Sequence, residues 1–223
     1  MSNIVEFRNV TRKYVLGKKE IKAVNDVSFS IKQGQFVVIA GHSGSGKSTI
    51  LQMMSGLETP NSGSIMVSGN EISRMTNADL TKMRRNDIGI IFQNFYLEQE
   101  LTLRQNIELP AMFANIRKDV RKKRTAELTQ ATELSEHLDH RPAELSGGQI
   151  QRAAILRAIY NNPKIIVADE PTSNLDNQNA NNVLKILKRL QDESGATIVI
   201  ATHDNKVLPF ADRVIEMKNG AIL

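Results

Sequence analysis

Four short, largely apolar runs punctuate the chain: Phe36 to Ala40, Ile88 to Phe92, Ile165 to Ala168 and Thr197 to Ala201. They are too short for helices and lack the alternation of a strand with one wet face, so they read as strands buried on both faces. Helical spacing appears between them. Ser48 to Ser55 follows a Gly-rich loop and stops at Gly56, a residue suited to a left-handed cap. Val183, Leu184, Leu187 and Leu190 fall on one helical face and end before Gly195. Strands alternating with helices predict an α/β fold with a mainly parallel sheet. The first third differs: Ile4 to Val10, Ala23 to Ile31 and Ser64 to Val67 are strand-like runs broken by Gly17, Gly34 and Gly63. They predict a small antiparallel β-subdomain flanking the core. From Leu101 to Tyr160 the pattern is mostly helical, with a capping signal at Thr76 and Asp79 before it and a stop at Pro163 after it. The expectation is one domain over 1–223, with a helical subdomain at about 94–161 inserted in the core.

Composition narrows the classes. The 223 residues include no cysteine, which excludes a disulfide framework or a thiolate metal site and suits a reducing cytoplasm. No apolar run approaches the roughly 18 residues of a spanning helix, and Glu6 and Arg8 interrupt the apolar amino terminus. Neither a membrane span nor a secretory signal is therefore expected. The net charge of +5 comes from 29 basic and 24 acidic residues, a modest excess on a mixed surface. With aromatics at only 4% and scattered, no stacking platform for nucleic acid is evident, and no nucleic-acid partner is expected.

The chemistry begins at Gly41-His42-Ser43-Gly44-Ser45-Gly46-Lys47-Ser48, followed by Thr49, which matches G-x-x-x-x-G-K-[ST] between a predicted strand and a predicted helix. Glycines let successive backbone N–H groups turn inward toward phosphate oxygens, and the next helix aims its positive end at the same anion. Lys47 places a cation on the terminal phosphates and Ser48 offers a hydroxyl to magnesium, while His42 is a neighbour of the phosphates without a chemical role. The core is thus expected to be of the P-loop NTPase kind. A second buried strand, Ile165 to Ala168, delivers Asp169 and Glu170 at its C-terminal end, where ligands bind in open α/β sheets. Asp169 suits the magnesium shell. Glu170, pointing the other way, suits a general base for the attacking water.

Leu145-Ser146-Gly147-Gly148-Gln149 matches the signature sequence of ABC-transporter ATPases, and the chain resembles that family over essentially its whole length. Ser146, Gly147 and Gly148 open a predicted helix from Gln149 to Tyr160, a second helix terminus with exposed N–H groups. The resemblance implies a head-to-tail homodimer in which the phosphate loop of one chain and the signature of the other sandwich each ATP with Mg2+. It further implies that Tyr14 stacks on adenine and that Gln93 touches magnesium and water and senses the membrane partner. Ser173-Asn174-Leu175-Asp176 resembles the loop that signals to the neighbouring site, and His203 resembles the histidine that contacts the terminal phosphate and orients water. Catalysis would then rest on Glu170, His203 and Gln93, the metal on Ser48, Gln93 and Asp169, and the nucleotide on Tyr14, the phosphate loop, Ser146 to Gln149 and Asp176.

Ile107-Glu108-Leu109-Pro110, His140-Arg141-Pro142 and Ala201-Thr202-His203-Asp204 are similar to the lipoprotein-release and macrolide-export (LolD/MacB) branch, including peptide and heme exporters. That branch implies a permease encoded as a separate chain, with the ATPase bound peripherally on the cytoplasmic side of the membrane. The helix from Gln149 to Leu156 departs from the commonest signature helix, which bears on the branch and not on hydrolysis. The basic run Arg117, Lys118 and Arg121 to Arg124 is read as a solvated helix face. An alternative of another class is an ABC ATPase that powers transmembrane signalling to a cell-wall hydrolase. A DNA-repair ATPase would need a long coiled coil before the signature, and a translation-factor type two such domains; neither is present.

Overall fold

The computed structural model describes residues 2–17, 19–130, 132–173 and 175–223. Among the described residues, ten strands and six α-helices run in the order β1 (Asn3–Leu16), β2 (Lys19–Lys32), β3 (Phe36–Ala40), α1 (Lys47–Met54), β4 (Ser62–Val67), β5 (Asn70–Glu71), α2 (Asn77–Asn86) and β6 (Ile88–Ile91). There follow α3 (Leu103–Phe113), α4 (Lys118–Gln130), α5 (Gly147–Ile159), β7 (Ile165–Asp169), α6 (Asn177–Ser194), β8 (Thr197–Thr202), β9 (Arg213–Lys218) and β10 (Ala221–Ile222).

The central sheet has the order β10-β9-β3-β8-β7-β6 and is parallel except at the β10 edge. Strands β3, β7 and β8 are apolar along nearly their whole length because both faces are covered, and successive side chains alternate between them. Val37, Ile39, Ile165, Val167, Val199 and Ala201 pack with Ile50, Met53 and Met54 of α1 and with the β-subdomain. Phe36, Val38, Ile166, Ala168, Ile198 and Ile200 pack on the other side with α5 and α6. The parallel pairing also aligns the C-terminal ends of β3, β6, β7 and β8, which gathers the loops that follow them at one edge of the sheet.

The flanking sheet, β2-β1-β4-β5, is antiparallel, as the first third of the sequence predicts. Its leading strands are longer than the apolar runs suggested, because β1 and β2 continue past the core as a bulged hairpin whose end carries exposed Val15 and Leu16. Gly63 does not break a strand. It lies within β4 at φ 84, where the backbone passes so close to Asn9 that an added Cβ would sit 2.4 Å from its carbonyl oxygen. Strand β9 and the edge strand β10 of the central sheet carried no apolar run of their own and were not anticipated.

The capping box at Thr76 and Asp79 forms, and Gly195 closes α6 in the left-handed conformation. Helices α3, α4 and α5 fill the chain between β6 and β7. The basic run on α4 is only partly solvated: Arg117, Lys118, Lys122 and Lys123 are exposed. Arg121 turns inward to Glu108, a buried carboxylate of α3, and Arg124 pairs with Glu127 and donates to Asn162. A buried carboxylate needs a cation, and α4 supplies it.

Candidate active site

The loop between β3 and α1 is built by two close approaches. At Gly41 a Cβ would lie 2.4 Å from the carbonyl oxygen of Met217, and at Gly46, with φ 103, it would lie 2.2 Å from that of Ala23. The loop is therefore wedged between β9 and β2, and only glycine fits at either point. Gly44, also left-handed, faces open space. Ser45 is buried, donates its N–H to the carbonyl of His42 and accepts the N–H of Gly220. Lys47, only 6% exposed, folds back over the loop and donates to the carbonyls of Gly41 at 2.8 Å and His42 at 3.0 Å. His42, Ser43 and Ser48 are exposed and Thr49 is half-buried in the first turn of α1.

Two strands away, β7 ends in Asp169 and Glu170, and the carboxylates diverge. Asp169 is bonded to the Ser48 side chain, and its Oδ1 is buried without a hydrogen-bond partner. Burial pushes its pKa up. Neighbouring Glu170 adds to that, while the Ser48 bond and Lys47 pull it back. A buried, unpartnered carboxylate oxygen beside a hydroxyl fits a hard divalent cation. Glu170 has the left-handed φ of 46 and is held there by its N–H to Ala201 and by Ser173, whose N–H and hydroxyl donate to its carbonyl. Its Oε2 accepts the Thr202 hydroxyl at 2.9 Å, its Oε1 lies 2.7 Å from His203 Nδ1, and Lys47 Nζ is 3.9 Å from the same Oε1.

Of the residues singled out by sequence, Lys47, Ser48, Asp169, Glu170 and His203 are thus brought together. Gln93 is exposed in the turn after β6, the strand beside β7. Tyr14 lies on β1 opposite Ile21, two residues from the Ala23 that abuts Gly46, with the Arg12 guanidinium 4.8 Å over its ring. Arg12 is in turn paired with Glu58. Ser146 caps α5 through a capping box with Gln149; Ser146 and Gly147 are exposed. Ser146 and Gln149 bond to each other in the capping box, while Lys47 donates within its own loop. Asp176 caps α6, and hydrogen bonds from Asn179 backbone and side chain hold its carboxyl below the usual range. The same Asn179 sits against Gly148, tying the Asp176 loop to the signature turn. Asn174 lies outside the described residues.

Sequence reasoning missed three side chains. Thr202 was overlooked because a Thr ending an apolar strand looks like strand composition. Gln151 is fully buried on α5 and donates to the carbonyl of Pro171, next to Glu170. Arg157, also on α5, reaches the loop after Gln93. Neither long-range contact has a local sequence signal.

A phosphate loop, a carboxylate pair and a capped signature turn on this sheet define an ABC-type nucleotide-binding cassette. The ABC transporter family model matches residues 24–173, and the chain belongs to that family. It is similar to the probable syringafactin export ATP-binding/permease protein SyfD of Pseudomonas syringae, 44% identical over 99% of this chain and 34% of that protein. It is similar also to the macrolide export ATP-binding/permease protein MacB of Bartonella quintana, 41% identical over 99% of this chain and 33% of that one. The chain thus spans about a third of the length of these two relatives. It matches nearly all of the ABC transporter ATP-binding protein MJ0796 of Methanocaldococcus jannaschii, 41% identical over 98% of this chain and 95% of that protein. The dimeric post-hydrolysis structure of MJ0796 bound to ADP and Pi superimposes with a TM-score of 0.91, covering 98% of this chain and 96% of that one.

Proposed function

We propose that the chain is the ATP-binding and ATP-hydrolysing subunit of a transporter. It dimerises around two Mg-ATP and drives a separate membrane permease from the cytoplasmic face. The observation that carries this reading is the convergence of Lys47 and Glu170, an almost buried ammonium and an almost buried carboxylate 3.9 Å apart at the mouth of the glycine loop. A cation aimed at the terminal phosphate beside a base aimed at its attacking water is what phosphoryl hydrolysis requires. Glu170 accepts the proton of the water, Thr202 and His203 hold the two oxygens of that carboxylate, and the backbone amides of Gly44 and of Gly46 to Ser48 bind the phosphates. Ser48, Asp169 and Gln93 would hold magnesium, which supplies charge neutralisation at the phosphates. Tyr14 stacks on adenine, while Ser146 to Gln149 and Asp176 of one chain complete the site of the other. The dimer of MJ0796 with ADP and Pi supports the shared site. The names of SyfD and MacB, which specify syringafactin export and macrolide export, support an exporter, with lipoprotein, peptide, drug or heme-like substrates as the candidate classes. In this reading residues 94–161 form the helical subdomain that meets the permease.

Glu170→Gln tests the proposal. It keeps shape and removes the proton acceptor, so ATP binding should persist while turnover falls by about 10²- to 10⁴-fold. With Mg-ATP, size-exclusion chromatography should show the variant as a dimer, and the parent without nucleotide as a monomer. Parental turnover in the variant would dismiss Glu170 as the base.

A further inference from the structure

Arg157 lies in the last turn of α5, where a basic side chain ordinarily folds onto its own helix's final carbonyls. Its guanidinium instead leaves the helix. Nη1 donates to the carbonyl of Tyr96 and Nη2 to that of Phe95, each at 2.6 Å. Both acceptors belong to residues with left-handed backbone, φ 58 at Phe95 and 45 at Tyr96. Such a conformation costs a non-glycine residue about 1–2 kcal/mol, so two in succession persist only where something outside the turn holds them. The turn's own bonds, Phe95 N–H to Phe92 and Tyr96 N–H to Asn94, are local to it. From outside come the core packing of Phe95 and the Arg157 fork, whose planar geometry matches two successive carbonyls. The guanidinium is half-buried, and burial lowers its pKa while Glu98 opposes that shift; an arginine stays charged regardless.

Gln93 stands two residues before Phe95, between β6 and this turn, and α5 begins at the Ser146 cap. We propose that Arg157 is a positioning residue: its two-pronged bond to the Phe95 and Tyr96 carbonyls fixes the backbone that carries Gln93, so the helix opened by Ser146 and the Gln93 loop move as one piece. Its effect on turnover rests on the reading of Gln93 given above. Its effect on the loop does not.

Arg157→Lys keeps the charge and the aliphatic stem and loses the fork. In the full chain, hydrogen–deuterium exchange of residues 92–98 should quicken about tenfold, the equivalent of one charge-assisted bond, while residues 41–49 stay as in the parent. For ATP hydrolysis, kcat should fall about tenfold with KM within about twofold, since a misplaced loop impairs the chemical step and not nucleotide binding. Exchange at 92–98 matching the parent, or quickened equally across the whole chain, would overturn the proposal. Quickened exchange confined to 92–98 with parental kcat would uphold the clamp and overturn the role given to Gln93. Should the lysine variant not fold, Arg157→Gln, neutral and without the fork, takes the same measurement.

Discussion

His203 Nδ1 lies 2.7 Å from Glu170 Oε1, although the imidazole is 62% exposed and the carboxylate only 12%. The histidine can therefore meet a ligand from solvent while the glutamate is fixed from behind. The fixing comes from Thr202, whose hydroxyl donates to Oε2 and also accepts the N–H of Asp204. Thr202→Val removes that hydroxyl at nearly constant shape. Turnover should fall about tenfold or more, as for a hydrogen bond to a charged group, with KM for ATP little changed. Combined with His203→Ala, the loss should be non-additive because both residues act on one carboxylate. Steady-state kinetics of the cycle decides, and strictly additive effects would separate the two roles.

Much of this was legible beforehand, for identifiable reasons. The phosphate loop, the acidic pair and the signature turn are local: each depends on neighbours in sequence, and each appears where its residues predict. Strands β3, β7 and β8 were legible because burial on both faces leaves a nearly unbroken apolar run. What escaped depends on distant neighbours. Strand β9 exists because Arg213 to Glu216 pair with β3, and edge strand β10 because it pairs with β9; no local pattern announces either partner. Arg121 resembled a solvated charge because its carboxylate partner, Glu108, sits on another helix.

Gly46 combines both kinds of constraint. Its place in the loop was readable, but its contact with Ala23 of β2 was not. Gly46→Ala forces a methyl 2.2 Å from a backbone oxygen at φ 103, so either the loop or β2 must shift. Stability should drop by more than about 1 kcal/mol, and nucleotide affinity should fall with it. Denaturant unfolding with and without Mg-ATP measures both. A variant of parental stability would mean that the wedge against β2 is soft.

The Arg12 guanidinium lies over one face of Tyr14, so a base stacked there as proposed would take the other. Stacking engages the π-face and not the hydrogen-bonding edge, so Tyr14→Leu should weaken ATP and GTP alike, by about tenfold or somewhat more. Titration calorimetry with both nucleotides checks this. A loss confined to ATP would point to recognition of the adenine edge, and no loss would free Tyr14 for a structural role.

Asp169 presents the opposite balance, a group whose charge costs stability. Burial raises its pKa in the folded chain, with Glu170 adding and with Ser48 and Lys47 only partly offsetting. The folded state therefore binds this proton more tightly than the unfolded chain does. Below the usual Asp value of about 3.9 the group is neutral in both states and has no effect. As pH rises from there through the raised folded pKa, the penalty of ionisation grows, and above it the penalty is constant. Asp169→Asn removes the charge at nearly the same volume. In nucleotide-free, metal-free protein its melting temperature should exceed the parent's by a few degrees at neutral pH, where each kcal/mol is worth about 2–4 °C in a domain of this size. The difference should shrink as pH is lowered toward the ordinary Asp range. The same variant should lose the rise in melting temperature that Mg-ATP gives the parent, because the unpartnered Oδ1 is the atom read as awaiting the cation. An asparagine variant less stable than the parent at neutral pH would show that Ser48 and Lys47 more than compensate for burial. The site would then be built around its own charges, and not held under strain for a metal.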